Sequence, residues 1–311
     1  MARFQTWVSA ARLRTLPLSV SGILVGTAIA VQQGHFSPAI FSLALATTLG
    51  LQILSNFAND YGDFVKGTDN EERVGPQRTL QSGLITRGEM YSGMVITAIV
   101  TFLFALGLIF LAFGSGDFWY VLLFLLLGLA AIVAAIKYTI GASAYGYRGL
   151  GDVFVFIFFG IVGVYGCYFL YSRTWDLRVL LPAFTIGVLS AGVLNLNNMR
   201  DRIPDQKAGK NTLVVKLGPA KAKQYHYALV LLAFAFMILY SALTFEGIED
   251  ILYILAFVPL LLHLKRVMEN QQPALLDPEL KKLSLSTFLL AVLFSLGQIL
   301  SIRKLTLNSA L

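Results

Sequence analysis

The sequence has few residues that form disulfides or bind soft metals. Only one of its 311 residues is cysteine, and three are histidine. The single cysteine, Cys167, rules out an internal disulfide, and its place within an apolar run is typical of a small core residue. The histidines His35, His226 and His263 are scattered along the sequence, so a zinc site made of cysteine and histidine is not indicated.

Charge is scarce as well. Charged residues make up 13% of the chain, roughly half of the ~25% of a soluble domain, whereas 57% of the residues are hydrophobic. This composition excludes an ordinary soluble domain and indicates an integral membrane protein. Nine apolar stretches are long enough to span a bilayer, and they lack the alternation of barrel strands. The predicted fold is therefore all-α, a bundle of nine transmembrane helices in a single domain over residues 1–311.

One of the nine predicted spans is less regular than the others. The spans are predicted at 16–33, 37–57, 92–113, 118–136, 153–171, 179–197, 227–245, 248–264 and 283–302. In the eighth, Glu249 and Asp250 shorten the apolar run, and Pro259 would kink it. If this segment is re-entrant, the C-terminus changes side.

Lysine and arginine are distributed unequally over the predicted bundle. With the N-terminus inside, 20 of the 24 basic residues fall on the cytoplasmic side and 4 on the outer side. This positive-inside pattern places the N-terminus and the active site in the cytoplasm, at the inner (plasma) membrane. The net charge of +7 therefore reflects topology and does not support a nucleic-acid partner. An alternative is that the first apolar run is a cleaved signal peptide, ending in Ala-Ile-Ala before Val31.

Two acidic motifs stand at the predicted cytoplasmic ends of the second and sixth helices. The first reads NFANDYGD from Asn56, and the second reads NLNNMRDRIPD from Asn195. Each has an asparagine four residues before an aspartate and a later Thr-Leu pair, which indicates an internal duplication of segments near 56–80 and 195–213. Because side chains at i, i+3 and i+4 share a helix face, we expect each motif to present one polar patch. The two acidic loops would form a cytoplasmic cap on the bundle.

Acidic residues at helix C-termini need a positive partner, because the helix dipole disfavours them by up to ~1 kcal/mol. One interpretation is that they pair only with basic residues of their own loops. A bound divalent cation explains both motifs, and an all-oxygen ligand set favours Mg²⁺, or Mn²⁺, over zinc. Basic residues among the acids favour a phosphorylated anion that is bridged by the metal. The basic candidates in these loops are Lys66, Arg78, Arg200 and Lys210.

Five segments of the chain carry a family resemblance. They read AARLRTLPLS from Ala10, NDYGDFVKGTD from Asn59, GPQRTLQSGLIT from Gly75, YRGLGD from Tyr147 and NNMRDRIPDQKAGKNTL from Asn197. In this order they resemble the UbiA-type membrane prenyltransferases, and within them the dihydroxynaphthoate branch of menaquinone synthesis. The resemblance runs over nearly the whole chain. It implies a Mg²⁺-dependent enzyme that takes a polyprenyl diphosphate from the lipid bilayer and transfers the prenyl chain to 1,4-dihydroxy-2-naphthoate. Diphosphate and CO₂ would be lost, giving demethylmenaquinone.

The resemblance also implies roles for individual residues. The metal ligands would be Asp60, Asp63, Asp201 and Asp205. The substrate-binding residues would be Arg14, Asn56, Asn59, Lys66, Arg78, Arg148, Asn197, Asn198, Arg200 and Lys210. Tyr138 and Tyr147 would face the allylic cation, and an interfacial aromatic belt is the alternative for each.

Three positions depart from the family pattern. Phe64 stands where the broader family repeats its aspartate, Asp152 replaces an expected glutamate, and no lysine follows Tyr138 within a helical turn. Arg148 would be the substitute for that missing donor contact.

Hydroxybenzoate, haem and chlorophyll prenyltransferases share the two motifs and differ in their acceptor. A divalent-cation transporter is the alternative from another class, but the central turns of the nine spans contain no aspartate or glutamate.

Overall fold

Long apolar helices make up most of the structure. A computed structural model describes residues 3–71 and 74–308, with side chains as far as residue 302. Within these residues, nine helical segments are long and apolar enough to cross a membrane, which confirms the predicted number. The α-helices are α1 (Phe4–Ala11), α2 (Leu16–Gln32), α3 (Pro38–Val65), α4 (Arg87–Phe113), α5 (Phe118–Lys137), α6 (Gly151–Val155), α7 (Cys167–Ser172), α8 (Leu180–Arg200), α9 (Arg202–Lys207), α10 (Leu213–Thr244), α11 (Phe257–Glu269) and α12 (Asp277–Asn308). A π-helix, Phe156–Gly166, joins α6 to α7. The 3₁₀ segments are Leu13–Thr15, Tyr145–Arg148, Leu177–Val179, Ile248–Ala256 and Pro273–Leu276.

Several helices begin at side chains that satisfy free backbone N–H groups. Ser37 caps α3, and Thr212 caps α10. Thr86 and Glu89 form a reciprocal capping box at the start of α4, in which each side chain accepts from the backbone of the other residue. Lipid offers no hydrogen-bond partners, so a helix that enters the bilayer must satisfy its first N–H groups in this way or in water.

The two helices that lead into the acidic motifs, α3 and α8, extend beyond their predicted ends. α3 continues to Val65 and α8 to Arg200, whereas hydropathy placed their ends near 57 and 197. Hydropathy marks only the lipid-embedded part of a helix, and polar residues can continue the same helix into the interface. Asp60 and Asp63 therefore lie on the last turns of α3, and Asp201 stands at the junction of α8 and α9.

The eighth span, Ile248–Glu269, is long and apolar enough to cross a membrane. It begins as a 3₁₀ helix and continues as α11. Pro259 is the third residue of α11, in the first turn, where a backbone N–H has no intrahelical partner to lose. The proline therefore stands next to the change from 3₁₀ helix to α-helix, and the kink at this residue stays a prediction. Asp250 turns its carboxylate back to accept from the N–H of Gly247 at 3.1 Å.

The π-helix packs closely between α2 and α8. A Cβ atom at Gly26 would overlap the backbone oxygen of Val164, and one at Gly160 would lie 2.5 Å from the backbone oxygen of Ala183. Small residues of this kind let membrane helices approach each other closely. π-turns recur at functional sites, and this segment lines the cavity described below.

Candidate active site

A cavity of about 890 Å³ opens between the helices at the ends of α3 and α8. Its polar end is lined by both aspartates of the first motif together with Arg78 and Lys210. Its other end runs between apolar side chains of α4, α5 and the π-helix, such as Leu108, Phe124 and Phe158. The cavity is therefore amphipathic, with a charged head and a long apolar arm.

The first acidic motif is buried and is held by arginine. Asp60 is 1% exposed and accepts from Arg12, from Arg78 Nη1 at 2.6 Å and from Thr79 Oγ1 at 3.3 Å. Asp63 is equally buried and lies 3.3 Å from Arg78 Nη2. Arg78 also contacts Asp69, with 3.1 Å between its Nε and Oδ2. One arginine thus joins three carboxylates in a site where an unpaired charge would be costly.

Arg12 reaches the site from an unusual backbone conformation. Its φ angle is 51°, in the left-handed region that residues other than glycine rarely adopt. The turn at this residue separates α1 from the segment that leads into α2, and its guanidinium pairs with Asp60. Residues held in such conformations cluster at functional sites. The sequence interpretation did not assign Arg12 to the site, and its nearness to Arg14 in the ARLR segment was the only signal.

The second motif is held by a different arginine. Arg200 donates to Asp201 through Nε at 2.9 Å and through Nη2 at 2.6 Å, and it also donates to Asn197 Oδ1 at 2.9 Å. Its Nη1 pairs with Asp277 at the start of α12. Arg200 and Asn197 line the cavity, whereas Asp201 is buried behind them. Asp277 was not singled out by the sequence interpretation, because it lies in a separate loop.

Lys210 brings the two motifs together. Its Nζ lies 3.6 Å from Asp63 Oδ1 and 3.7 Å from Asp205 Oδ1. These two carboxylate oxygens are therefore at most about 7.3 Å apart, the sum of the two distances. Asn56 supports the first motif from below, since its Nδ2 donates to the carbonyl of Ala11 at 2.9 Å. A single diphosphate is long enough to contact both halves of such a site.

Oxygen donors at the polar end fit a magnesium ion. Asn59 lines the cavity, and its buried Oδ1 has no hydrogen-bond partner among the described residues. It lies one helical turn before Asp63 on α3, next to Asp60. Within residues 3–71 and 74–308, no three histidine, cysteine or acidic side chains are arranged to hold a metal by themselves. Mg²⁺ typically uses one or two carboxylates, and water or substrate phosphates complete its shell, so this donor set suits it.

Two tyrosines flank the acids in different ways. Tyr147 donates its hydroxyl to Asp63 Oδ1 at 2.7 Å, and Lys66 Nζ lies 3.7 Å above its ring. Tyr138 lines the cavity below them. Burial raises the pKa of both tyrosines, and Asp63 raises that of Tyr147 further, so both stay protonated. Burial also lowers the pKa of Lys66, against the opposing effect of Asp63.

Three predicted site residues lie apart from this cluster. Arg14 lines the cavity but is exposed and forms no ion pair among the described residues. Arg148 points away on the surface beside a separate shallow pocket, where its backbone carbonyl accepts from Lys216 at 2.6 Å. Asn198 is buried but does not line the cavity. Asn197, the residue before it on α8, lines the cavity instead.

Tyr147→Phe is expected to lower kcat about tenfold, because a hydrogen bond to a charged group contributes roughly 1.5–3 kcal/mol. The change removes the donor to Asp63 and the acceptor for Thr68 Oγ1, which lies 2.6 Å away. Steady-state turnover by purified protein measures the effect. Tyr145→Phe is the matched control, since that hydroxyl donates only to the backbone oxygen of Ala134. Equal losses in both variants would contradict a specific role for Tyr147.

Comparison with known proteins gives a consistent result over the whole chain. The profile of the UbiA prenyltransferase family matches residues 19–290. The chain is 42% identical over 302 residues to 1,4-dihydroxy-2-naphthoate octaprenyltransferase of Escherichia coli (strain K12), with 97% of both chains covered. It is also 42% identical over 298 residues to the Haemophilus influenzae protein of that name, covering 95% of this chain and 96% of the relative.

Solved structures share the fold. A UbiA homologue from Archaeoglobus fulgidus superimposes with a TM-score of 0.68 at 15% identity, covering 96% of this chain and 99% of that chain. The structure of a UbiA homologue from the same organism bound to GPP and Mg²⁺ gives a TM-score of 0.65 at 16% identity, with 94% and 99% covered. At these identities the likeness shows the fold alone.

Proposed function

The chain belongs to the UbiA prenyltransferase family, and from that premise we propose that it transfers a polyprenyl chain from polyprenyl diphosphate to 1,4-dihydroxy-2-naphthoate. Diphosphate and CO₂ are the other products. The acceptor follows from the 42% identity, over nearly the full length, to two proteins named for that reaction. Their name also makes an octaprenyl diphosphate the first donor to test.

The observation that carries the proposal is the amphipathic cavity, because its two parts match the two parts of the donor. Arg78 and Lys210 stand at the polar end among buried carboxylates, where a diphosphate and its metal neutralise one another. The apolar arm runs on between helices, where an isoprenoid tail meets mostly hydrocarbon side chains and aromatic rings, with Thr47, Thr48 and Cys167 among them. A water-soluble diphosphate has no apolar tail that could fill such an arm.

We assign Mg²⁺ to the acids of both motifs. Asp60 and Asp63, with Asn59 beside them, form the first set, and Asp201 and Asp205 form the second. When bound, the metal supplies positive charge against the negative charge that builds on the leaving diphosphate. Arg78 and Lys210, with Arg14 at the mouth, then bind the remaining phosphate oxygens. The first two already lie against the carboxylates and need only exchange one anion for another.

The chemistry has two bond changes at the allylic carbon. The carbon–oxygen bond breaks and its electron pair leaves with the diphosphate, while a carbon–carbon bond forms to the naphthoate ring, which loses CO₂. Tyr138 presents its ring and a protonated hydroxyl at the junction of head and arm, so it stabilises the allylic cation without capturing it. Asp60 and Asp63 are buried within the protein, and burial strengthens the electrostatic contacts of the site.

The orientation follows from charge. The positive-inside pattern supports a cytoplasmic position for the polar end of the cavity, where water-soluble dihydroxynaphthoate and Mg²⁺ are available. The tail reaches the apolar arm from the bilayer. Both substrates then meet at the boundary between water and lipid.

Purified protein in lipid vesicles tests the function directly. With octaprenyl diphosphate and dihydroxynaphthoate, prenylated product is expected only when Mg²⁺ or Mn²⁺ is present, and a chelator should stop its formation. Hydroxybenzoate and haem are the comparison acceptors, because other members of the superfamily use them. Efficient turnover of either one, without turnover of dihydroxynaphthoate, would reassign the acceptor, and turnover that survives the chelator would refute the metal.

A further inference from the structure

Two glycines in the apolar arm lie along the path of the prenyl tail, and we propose that they determine how long a prenyl donor the enzyme accepts. They are Gly128 on α5 and Gly166 at the end of the π-helix. The inference rests on the proposed function, since it concerns the donor of that reaction. A larger side chain at either position would block the arm at a defined depth.

Both glycines face open space in the arm. Each lines the cavity. A Cβ atom at Gly128 would meet only the Cβ of Ala105, at 3.9 Å. At Gly166 the nearest atoms would be Val162 Cγ1 at 3.8 Å and Phe124 Cε1 at 3.9 Å, both at ordinary contact distance. A Cβ atom at either position is therefore accommodated without displacing a backbone, and we expect the rest of a larger side chain to occupy the cavity.

Other glycines of the same region serve a different purpose. A Cβ atom at Gly187 would lie 2.9 Å from the backbone oxygen of Phe156, and one at Gly22 would lie 3.0 Å from that of Phe159. These residues permit close packing of helices, so their replacement damages the fold and says nothing about the tail. The contrast separates glycines that hold helices together from glycines that leave room for a ligand.

The depth of each glycine can be read from α5. Tyr138 ends this helix beside the acidic cluster, since the next residue, Thr139, donates to the carbonyl of Ala58 on α3 at 2.8 Å. Gly128 lies ten residues earlier, or about 15 Å deeper at ~1.5 Å per residue. Phe124, which faces Gly166, is fourteen residues from Tyr138, or about 21 Å deeper.

These depths translate into numbers of isoprene units. A unit has four carbon–carbon bonds of ~1.5 Å along its backbone and advances about 5 Å when extended. Gly128 therefore lies beside the third unit, and Gly166 beside the fourth or fifth. Eight extended units would measure about 40 Å, more than the ~30 Å hydrocarbon core, so the far end of a long tail must bend or leave the arm.

The test compares donors of different length in single-glycine variants. Gly128→Leu is expected to lower kcat/KM for octaprenyl diphosphate ten- to a hundredfold, and to leave geranyl diphosphate, with two units, within about twofold of the wild type. Gly166→Leu should still accept farnesyl diphosphate, with three units, and discriminate against octaprenyl diphosphate. Gly107→Leu is the matched control: this glycine of α4 is exposed on the bundle surface, lies outside the cavity and has ordinary contact distances.

Each outcome decides. Loss of activity with long donors alone, beginning at a shorter donor for Gly128→Leu than for Gly166→Leu, supports the assignment. Equal loss for short and long donors, or no loss for either, overturns it, because the tail then does not pass these residues. Gly128→Ala and a thermal unfolding measurement in detergent identify a variant that fails only by misfolding. Absence of prenyl transfer in the wild type would instead refute the proposed function.

Discussion

Asparagine in place of Asp60 is expected to lower kcat for prenyl transfer at least a hundredfold, about 3 kcal/mol, while the protein remains folded in membranes. The carboxylate is 1% exposed and lies at the polar end of the cavity, next to the atoms where negative charge builds up. Asparagine keeps the shape and can still accept from Thr79, but it removes the charge that we propose binds Mg²⁺. Kinetics of purified protein at saturating Mg²⁺ and donor measure the loss.

A control separates this effect from a general loss of stability. Asp117 is an exposed residue at the end of the bundle opposite the acidic motifs, and its carboxylate lies 3.1 Å from Arg173. Asp117→Asn removes this carboxylate and should leave kcat unchanged. Arg78 keeps Asp63 and Asp69 as partners when Asp60 is neutralised, so the arginine does not become an unpaired buried charge. Near-normal turnover by Asp60→Asn would remove this residue from the metal site.

Much of the fold could be predicted because the bilayer leaves few choices. A backbone without water must pair within its own helix, so nine long apolar runs predict nine helices. Hydropathy could not predict where α3 and α8 end, since their last turns carry Asp63 and Arg200 beyond the hydrocarbon. Nor could it predict the π-helix at Phe156–Gly166, which depends on close contact with two neighbouring helices.

The candidate site shows where sequence reasoning stops. The two motifs could be placed at one face because both helices run in the same direction, and Lys210 indeed lies between Asp63 and Asp205. The partner of each acid could not be predicted. Arg12 is 48 residues from Asp60, and Asp277 is 77 residues from Arg200, so only the packed structure joins them. The internal duplication stays a prediction.

The pairing of acids with basic residues, first considered as an alternative to a metal, is compatible with one. Arg78 and Lys210 occupy the carboxylates in the structure, and the same cations are needed by a diphosphate. A site of buried acids alone would be unstable before substrate arrives, because each unpaired charge costs several kcal/mol. In the proposed mechanism, arginine and lysine therefore keep the acids in place for the metal and then bind the donor.

Arg78→Gln is accordingly expected to have two opposite effects. Without Mg²⁺ the free energy of unfolding should fall by about 3–5 kcal/mol, because Asp60, Asp63 and Asp69 lose a shared buried partner. With Mg²⁺ alone the variant should gain more stability than the wild type, since the metal no longer competes with the guanidinium for the carboxylates. At a fixed metal concentration, the stabilisation by a ligand increases with the logarithm of its affinity. Thermal unfolding in detergent, with and without Mg²⁺, measures both effects.

The activity of Arg78→Gln should stay low even when Mg²⁺ has restored its stability, because the diphosphate still lacks its arginine. Arg87→Gln is the matched control from the start of α4: its Nε donates to Tyr61 at 3.2 Å and contacts no acid of the site. If Mg²⁺ stabilised the wild type and Arg78→Gln equally, the metal and the guanidinium would not share these carboxylates. Asp60 and Asp63 would then only stabilise the fold. The positive charge that stabilises the leaving diphosphate would have to come from Lys210 and from a metal bound at the second motif.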